Sequence, residues 1–346
     1  MRQNLKRLHM AFVKSFSLNS FGPLGKLSVD NLQNINLFIG GNGSGKTFLL
    51  KALYAAIKTV EQFQRGQEIR TEKEILSEKL RWTFQPNSLG SLVKKGESNL
   101  TFQMDSYCNE NFEYSFGGST IKSVQNLLNT FQKRENDNTI FIPAKEILSL
   151  REIILDSRNR YSEFGFDDTY FDLANALAPT TKGKNYKAFA DARLSLENII
   201  GGRLEYDTDK NEWRFKDSNK KSYEIALTSE GIKKLSIIDL LLGNHYLGNN
   251  SVIIIDEIEA NLHPSMIGKF LDVIVTLAQF GIQFFISTHS YFVIKNLYIL
   301  AQKNKISIPT ISIEKDKIMR SDLHIEMPNN PIIQESIELY KREIDL

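Results

Sequence analysis

The sequence of 346 residues has a formal net charge of +2, with 41% hydrophobic and 24% charged residues. These proportions are typical of a globular protein with a full core, and they exclude a global electric field that would recruit nucleic acid. Cys108 is the only cysteine, which excludes an internal disulfide and a cysteine-cluster metal site. No run of eighteen apolar residues could span a membrane, and the basic residues 1–10 lack the apolar segment of a secretory signal. We therefore predict a cytoplasmic protein without a membrane partner.

The first part of the chain predicts strands that lead into a helix. Residues 11–18 and 26–29 form a predicted hairpin around a turn at residues 20–25. The apolar run Ile35–Ile39 predicts a buried strand, and the periodicity of residues 47–57 predicts a helix.

The residues between that strand and that helix fit the phosphate-loop pattern G-x-x-x-x-G-K-[ST]. Glycines are needed where backbone N–H groups wrap a polyphosphate, because a Cβ would block the approach. Lys46 would reach the β- and γ-phosphates, and the Thr47 hydroxyl would bind Mg²⁺. A chance glycine turn is the alternative, but the flanking elements are those that the motif requires, so we predict binding of ATP with Mg²⁺. The loop consists of Gly40, Gly41, Asn42, Gly43, Ser44, Gly45, Lys46 and Thr47.

The middle of the chain predicts an antiparallel β lobe followed by a compact insertion. Helical patterns cover residues 60–80 and 119–134, and residues 144–201 are mostly helical. Residues 145–227 lack a sustained heptad repeat, so we predict an inserted helical and β subdomain instead of a coiled-coil arm. Alternating patterns predict strands at residues 82–85, 100–104, 112–116, 203–206 and 212–215, with residues 222–227 as a further pairing segment and 139–143 as a short apolar strand.

Two buried strands in the last third end in polar residues. The β-branched run at residues 251–255 is typical of a strand buried on both faces of a parallel sheet. It ends in Asp256, which would hold Mg²⁺, and Glu257, which would polarise the attacking water; the alternative is that both carboxylates only face solvent. The strand at residues 283–287 leads to His289, for which we favour a γ-phosphate contact over a purely structural hydrogen bond.

Together these motifs resemble the ATP-binding-cassette (ABC) class of P-loop ATPases, and within it the AAA-family ATPases related to the overcoming-lysogenization-defect proteins. Lys46 and Asp256 lie 210 residues apart, as in that class. Residues 228–234 resemble its signature motif, residues 256–264 its acidic motif and D-loop, and residues 287–290 its switch histidine.

This resemblance implies an α/β fold: a P-loop NTPase with an ABC-ATPase-type head, in which an antiparallel β lobe joins a parallel core sheet flanked by helices. It also implies one ABC-type ATPase domain over residues 1–346, with the compact, mainly helical insertion at 145–227. The 57 residues after His289 are too few for the C-terminal Toprim nuclease domain of overcoming-lysogenization-defect proteins.

The resemblance also assigns roles to individual residues. Ser229 and Gly231 occupy signature positions that bind the nucleotide, whereas Thr228, Glu230 and Ile232 depart from the motif. In this class the signature serine acts on the ATP of the other subunit, which implies a homodimer around two ATP molecules and leaves higher oligomers open. Gln85 is the candidate for the lid glutamine that senses Mg²⁺.

Two classes of function remain open after this comparison. The first is an ATPase sensor or scaffold for a separately encoded nuclease or toxin in prokaryotic anti-phage defence, resembling the ATPase subunits of Septu, retron-associated and PARIS systems. The second is a DNA-repair ATPase of the recombination-mediator kind that closes on duplex DNA; a nucleotide-gated clamp with little turnover is a further variant. Lysines that could line a DNA surface are Lys182, Lys184, Lys187, Lys220, Lys221, Lys233 and Lys234.

Overall fold

A computed structural model describes residues 12–134, 138–179, 187–210, 212–314 and 317–346. Residues 1–11, Lys182 and Lys184, which entered the sequence-based predictions, lie outside these ranges. Within the described residues no helix is long and apolar enough to cross a membrane.

The helices and strands follow the chain in this order. The helices are α1 (Lys46–Gln62), α2 (Glu72–Phe84), α3 (Arg151–Asn159), α4 (Asp168–Ala176), α5 (Lys187–Ile200), α6 (Glu230–Gly243), α7 (Pro264–Gln279), α8 (Tyr291–Asn304) and α9 (Pro331–Ile344). The strands are β1 (Val13–Asn19), β2 (Leu27–Val29), β3 (Ile35–Ile39), β4 (Asn99–Ser106), β5 (Asn111–Gly117), β6 (Asn126–Asn129), β7 (Thr139–Ile142), β8 (Gly202–Asp207), β9 (Glu212–Asp217), β10 (Ser222–Glu224), β11 (Val252–Ile255), β12 (Gln283–Thr288), β13 (Pro309–Glu314) and β14 (Lys317–Asp322).

A six-stranded sheet in the order β14-β13-β3-β12-β11-β7 forms the centre of the molecule. Its strands run parallel except for β14 at one edge. Every residue of β3, β11 and β12 is buried, because helices or a second sheet cover both faces. The predicted buried strands are therefore confirmed, and their carboxyl ends meet at one edge of the sheet.

The two faces of this sheet belong to two hydrophobic cores. Phe38, Ile254 and Phe285 point into a core shared with α1 and the antiparallel sheet. Leu37, Ile255 and Ile286 point into the other core, shared with α6, α7, α8 and the insertion. Because the side chains alternate along each strand, the sheet lies between these two cores and contributes residues to both.

The predicted antiparallel lobe is a five-stranded sheet in the order β2-β1-β4-β5-β6. Along β4, Leu100, Phe102 and Met104 are buried, whereas Thr101 and Gln103 are exposed. Such alternation is expected where one face of a sheet packs on a core and the other faces solvent.

The strand prediction for residues 82–85 is wrong, because these residues end α2. Thr71 and Glu74 form a capping box that starts this helix. The helix continues to Phe84, whose ring packs 4.6 Å from that of Phe48 and 5.4 Å from that of Phe21. Local alternation over four residues is therefore overridden by the cap and the aromatic contacts.

Two helical predictions also need correction. Residues 119–134 contain β6 instead of a helix, with Leu127 paired to Tyr114 at the edge of the antiparallel sheet; open backbone groups on β5 favour the strand. The helical stretch at 60–80 is two helices, because α1 ends at Gln62 and α2 begins at Glu72.

The insertion at residues 145–227 contains α3, α4 and α5 and a small antiparallel sheet in the order β10-β9-β8. The predicted pairing of its last segment is confirmed for Ser222–Glu224, which pairs with β9. Helix α5 packs against α6 and α7. The insertion is thus built onto the parallel core and is mainly helical, as expected.

Candidate nucleotide site

The phosphate loop lies between β3 and α1, at the carboxyl edge of the parallel sheet. Gly45 has φ +95°, and a Cβ there would lie 2.6 Å from Leu24 Cδ2. At Gly40 a Cβ would lie 2.3 Å from the carbonyl oxygen of Ile313 and 2.8 Å from Ser44 Oγ. The loop conformation therefore requires glycine at both positions, and the N-terminus of α1 faces the loop with its free N–H groups.

The Lys46 ammonium lies across this loop. It donates to the carbonyl oxygens of Gly40 at 2.8 Å and Gly41 at 2.9 Å. Burial lowers the pKa of Lys46, and the nearby carboxylates, chiefly Asp256, only partly oppose that shift. A phosphate group on the loop would give this buried cation a stronger acceptor than two carbonyl groups.

The end of β11 meets the start of α1 at a predicted Mg²⁺ ligand pair. Thr47 Oγ1 donates to Asp256 Oδ2 at 2.8 Å, and Ser287 Oγ donates to Asp256 Oδ1 at 2.6 Å. A hydroxyl and a carboxylate in contact beside a phosphate loop are oxygen ligands of the kind that Mg²⁺ accepts together with nucleotide phosphates. These residues fit the ion, which would neutralise charge on the β- and γ-phosphates.

Glu257 has a backbone conformation that side chains rarely adopt, with φ +47°. Its N–H donates to Ser287 Oγ at 2.8 Å, so Ser287 contacts both members of the acidic pair. The Glu257 carboxylate is partly exposed, and Oε1 lies 3.7 Å from His289 Nδ1. The structure thus brings Glu257 and His289 together beside Asp256, as their proposed roles require.

Glu259 completes this cluster, although no role was predicted for it. Its carboxylate accepts from Thr288 Oγ1 at 2.8 Å and from the His289 N–H at 2.9 Å, and it lies 3.3 Å from His289 Nδ1. This mostly buried carboxylate therefore fixes the backbone that carries His289. Its position two residues after Glu257 was the signal available in the sequence, because both follow the same strand end.

The predicted signature residues begin helix α6. Ser229 is its N-cap, and Ser229 Oγ accepts the Ile232 N–H at 3.4 Å. A Cβ on Gly231 would lie 2.7 Å from the carbonyl oxygen of Asn261, so this turn of α6 contacts the segment after Glu257. No hydrogen bond of the described residues joins Ser229 or Gly231 to residues 40–47. Their role in binding nucleotide stays a prediction.

Gln85 is placed differently from the other predicted site residues. It forms the C-cap of α2, and its Oε1 accepts the Gly165 N–H of the insertion at 3.2 Å. No hydrogen bond described for Gln85 goes to Thr47 or Asp256. Its role as a Mg²⁺ sensor stays a prediction.

Two of the lysines that were predicted to line a DNA surface are buried. Lys233 and Lys234 are only 3% and 7% exposed and bind protein groups, so neither side chain can reach a DNA backbone. Lys187, Lys220 and Lys221 are exposed.

A parallel core sheet with the phosphate loop at its carboxyl edge, beside an antiparallel sheet and flanked by helices, is the predicted fold of a P-loop NTPase with an ABC-ATPase-type head. The predicted fold is therefore confirmed. The chain belongs to the family described as "AAA domain, putative AbiEii toxin, Type IV TA system", which matches residues 35–295. No curated protein matches the sequence.

Solved structures show the same fold. The chain is similar to an Smc head bound to the C-winged helix domain of ScpA, with a TM-score of 0.55 and 14% identity over 91% of this chain and 98% of that chain. It is also similar to the Smc head domain with an extended coiled coil bound to the C-terminal domain of ScpA, derived from Pyrococcus furiosus. That match has a TM-score of 0.51 and 13% identity, over 94% of this chain and 99% of the other. Identities this low show a shared fold alone.

Proposed function

We propose that this chain hydrolyses ATP as a homodimer and controls a separately encoded nuclease or toxin in anti-phage defence. The observation that carries the ATPase part is the contact of Thr47 and Asp256 at 2.8 Å, next to Glu257 and His289. This cluster joins the phosphate loop to the groups that act on the γ-phosphate and on water.

In this proposal each residue at the edge of the sheet has one task. Lys46 and the loop N–H groups bind the phosphates, and Thr47 and Asp256 hold Mg²⁺. Glu257 accepts a proton from water as the water oxygen bonds to the γ-phosphorus and the bond to the bridging β,γ oxygen breaks. His289 donates a hydrogen bond to the γ-phosphate, while Glu259 holds its backbone.

The dimer is supported by the separation along the chain between the signature residues and the phosphate loop, to which no described hydrogen bond joins them. Ser229 caps α6 and is exposed, so the positive end of the dipole of that helix lies at the surface, where it would attract an anion. A second copy related by a two-fold axis would supply that anion as the γ-phosphate on its own loop.

Control of an effector is supported by the contacts between the insertion and α1. Lys51 of α1 binds Asp167 at 2.5 Å, and Tyr54 of α1 donates to Asp172 at 2.6 Å. Asp167 and Asp172 thus join the insertion directly to the phosphate-loop helix, and a partner bound to the insertion would act on that helix through these contacts. Ile153 and Tyr161 of the insertion are 59% and 65% exposed and offer apolar surface for such a partner. The family description names a putative toxin, which supports a role in defence, and the DNA-repair ATPase stays the alternative.

A pull-down from the native host tests this function. Glu257→Gln with ATP and Mg²⁺ is the bait, because it should retain ATP and stay closed, and Lys46→Ala is the matched control that cannot close. A stoichiometric nuclease-like or toxin-like protein with the first bait only is the expected result. Duplex DNA without a protein, lost steeply as salt is raised, would instead support the repair ATPase.

A further inference from the structure

Two adjacent lysines on helix α6 are both buried but bind different groups. Lys233 forms an ion pair with Glu230 at 3.0 Å and lies 4.0 Å from Glu146. Lys234 Nζ donates to the main-chain carbonyl of Glu257 at 2.7 Å and lies 3.5 Å from that of Ala260. The second lysine thus reaches from the signature helix to the turn that carries the proposed water-activating residue.

The environment of Lys234 is costly for a cation. Burial lowers its pKa to about 8, even though Glu259, Asp256 and Glu257 favour the charged form. The hydrogen bonds described for its ammonium go to carbonyl oxygens and not to a carboxylate. Hydrogen bonds to these two carbonyls are therefore what offset the loss of water around the charge.

The turn that receives these bonds is itself strained. The left-handed conformation of Glu257 is unfavourable for a residue with a side chain, so it persists only where its surroundings hold it. Ser287 Oγ accepts the Glu257 N–H at 2.8 Å on one side, and Lys234 binds the Glu257 carbonyl on the other. Each peptide group next to Glu257 thus has an anchor, one from β12 and one from α6.

We propose that Lys234 is a positioning residue that holds Glu257 in the conformation needed to activate water, and that it ties this residue to the signature helix. The inference rests on the proposed role of Glu257. Ser229 lies five residues before Lys234 on the same helix. Engagement of the partner's nucleotide by Ser229 would therefore act through one rigid element on the subunit's own Glu257.

Lys234→Met tests this role, with Lys233→Met as the matched control. Both changes remove a buried ammonium from the same turn of α6, but only the first removes the lysine bond to the Glu257 carbonyl, which keeps its hydrogen bond from the Ala260 N–H at 2.9 Å. We expect Lys234→Met to lower kcat about 10- to 100-fold, the size that a misplacement near 1 Å can cause. Lys233→Met should keep kcat within about threefold, because the ammonium of Lys233 binds Glu230 and its loss leaves the position of Glu257 unchanged. In both variants the Kd for a non-hydrolysable ATP analogue with Mg²⁺, measured by calorimetry, should stay near that of the wild type.

A double variant separates positioning from general damage. If Lys234 acts through Glu257, Lys234→Met should cause no further loss in a Glu257→Gln background, measured as single-turnover cleavage of labelled ATP over hours. A further loss of tenfold or more in that background would overturn the proposal, as would equal kcat losses in Lys233→Met and Lys234→Met. If Lys234→Met does not fold, Lys234→Gln is judged by the same two criteria.

The failure of the underlying function is distinguishable in the same experiment. Full turnover by Glu257→Gln alone would refute the role of Glu257 and with it the basis of this inference. Slow turnover by Glu257→Gln with unaltered kcat in Lys234→Met would leave the ATPase mechanism intact and overturn only the role of Lys234.

Discussion

The nucleotide edge and the insertion use charged residues in opposite ways. At the nucleotide edge, the described hydrogen bonds of the Lys46 ammonium go to carbonyl groups, and the Glu257 carboxylate is partly exposed. In the insertion, Asp168 binds Lys79 at 3.0 Å and Arg158 at 2.6 Å, so the charges are already paired. Exposed or unpaired charges are candidates for contacts with a ligand, whereas buried ion pairs connect parts of the fold. Substitutions at the two regions should accordingly affect different quantities.

The largest effect should come from Glu257→Gln, which should lower the ATP turnover about 10²–10⁴-fold because the proton acceptor for water is lost. Folding should be unaffected, since this side chain is partly exposed. Phosphate release measures the turnover, and gel filtration with ATP should show a stable dimer. A variant that stays monomeric with saturating ATP would count heavily against the sandwich arrangement.

Lys46→Ala should weaken ATP binding by about 100-fold or more, because the loop loses a charge-assisted contact worth about 3 kcal/mol. Calorimetry or a fluorescent nucleotide measures the affinity. Lys303→Ala, near the end of α8 and exposed, is the control that keeps the affinity. Unchanged binding by the Lys46 variant would refute the assignment of the phosphate loop.

Asp172→Asn should act on stability instead. Burial raises the pKa of this carboxyl, but Lys79 and Lys58 more than compensate, so its pKa lies below the usual value and it is ionised at neutral pH. Neutralising one partner of such a buried network should lower the free energy of unfolding by about 3–5 kcal/mol, measured by urea denaturation. Asp209→Asn, in an exposed turn of the insertion, should change it by less than about 0.5 kcal/mol. If Asp172→Asn lost ATP affinity without losing stability, the contrast between the two regions would fail.

The smallest effects should come from His289→Ala and Glu259→Gln. Each removes or loosens one hydrogen bond to the γ-phosphate, so each should reduce kcat about tenfold and change ATP affinity less. Steady-state kinetics separates the two quantities. Full activity in His289→Ala would show that this histidine has a structural role and does not contact the γ-phosphate.

The sequence predicts the parts of the site that depend on short, continuous patterns. The strand, loop and helix around Lys46 and the strand that ends in Asp256 are recognisable because both faces of their sheet are buried and the phosphate loop requires glycine at fixed positions. The order of these strands in the sheet was not predictable from the same patterns.

Long-range contacts explain what the sequence could not predict. Residues 82–85 alternate like a strand, but the cap at Thr71 and the packing of Phe84 on Phe48 hold them in a helix. Glu259 gains its role only because β12 places Thr288 and His289 next to it, thirty residues along the chain. The pairing of Lys234 with the Glu257 carbonyl likewise depends on how α6 lies against the end of β11.

The packing of Gly40 against the carbonyl of Ile313 limits how far the chain can be truncated at its C-terminal end. Strand β13 pairs with β3 along Leu37, Phe38 and Ile39, immediately before the phosphate loop, yet it lies beyond residues 35–295, which match the family model. A fragment cut at residue 295 would leave β3 as an open sheet edge, prone to pairing with other chains. The smallest unit that can keep its phosphate loop in shape therefore extends past the family boundary to include β13.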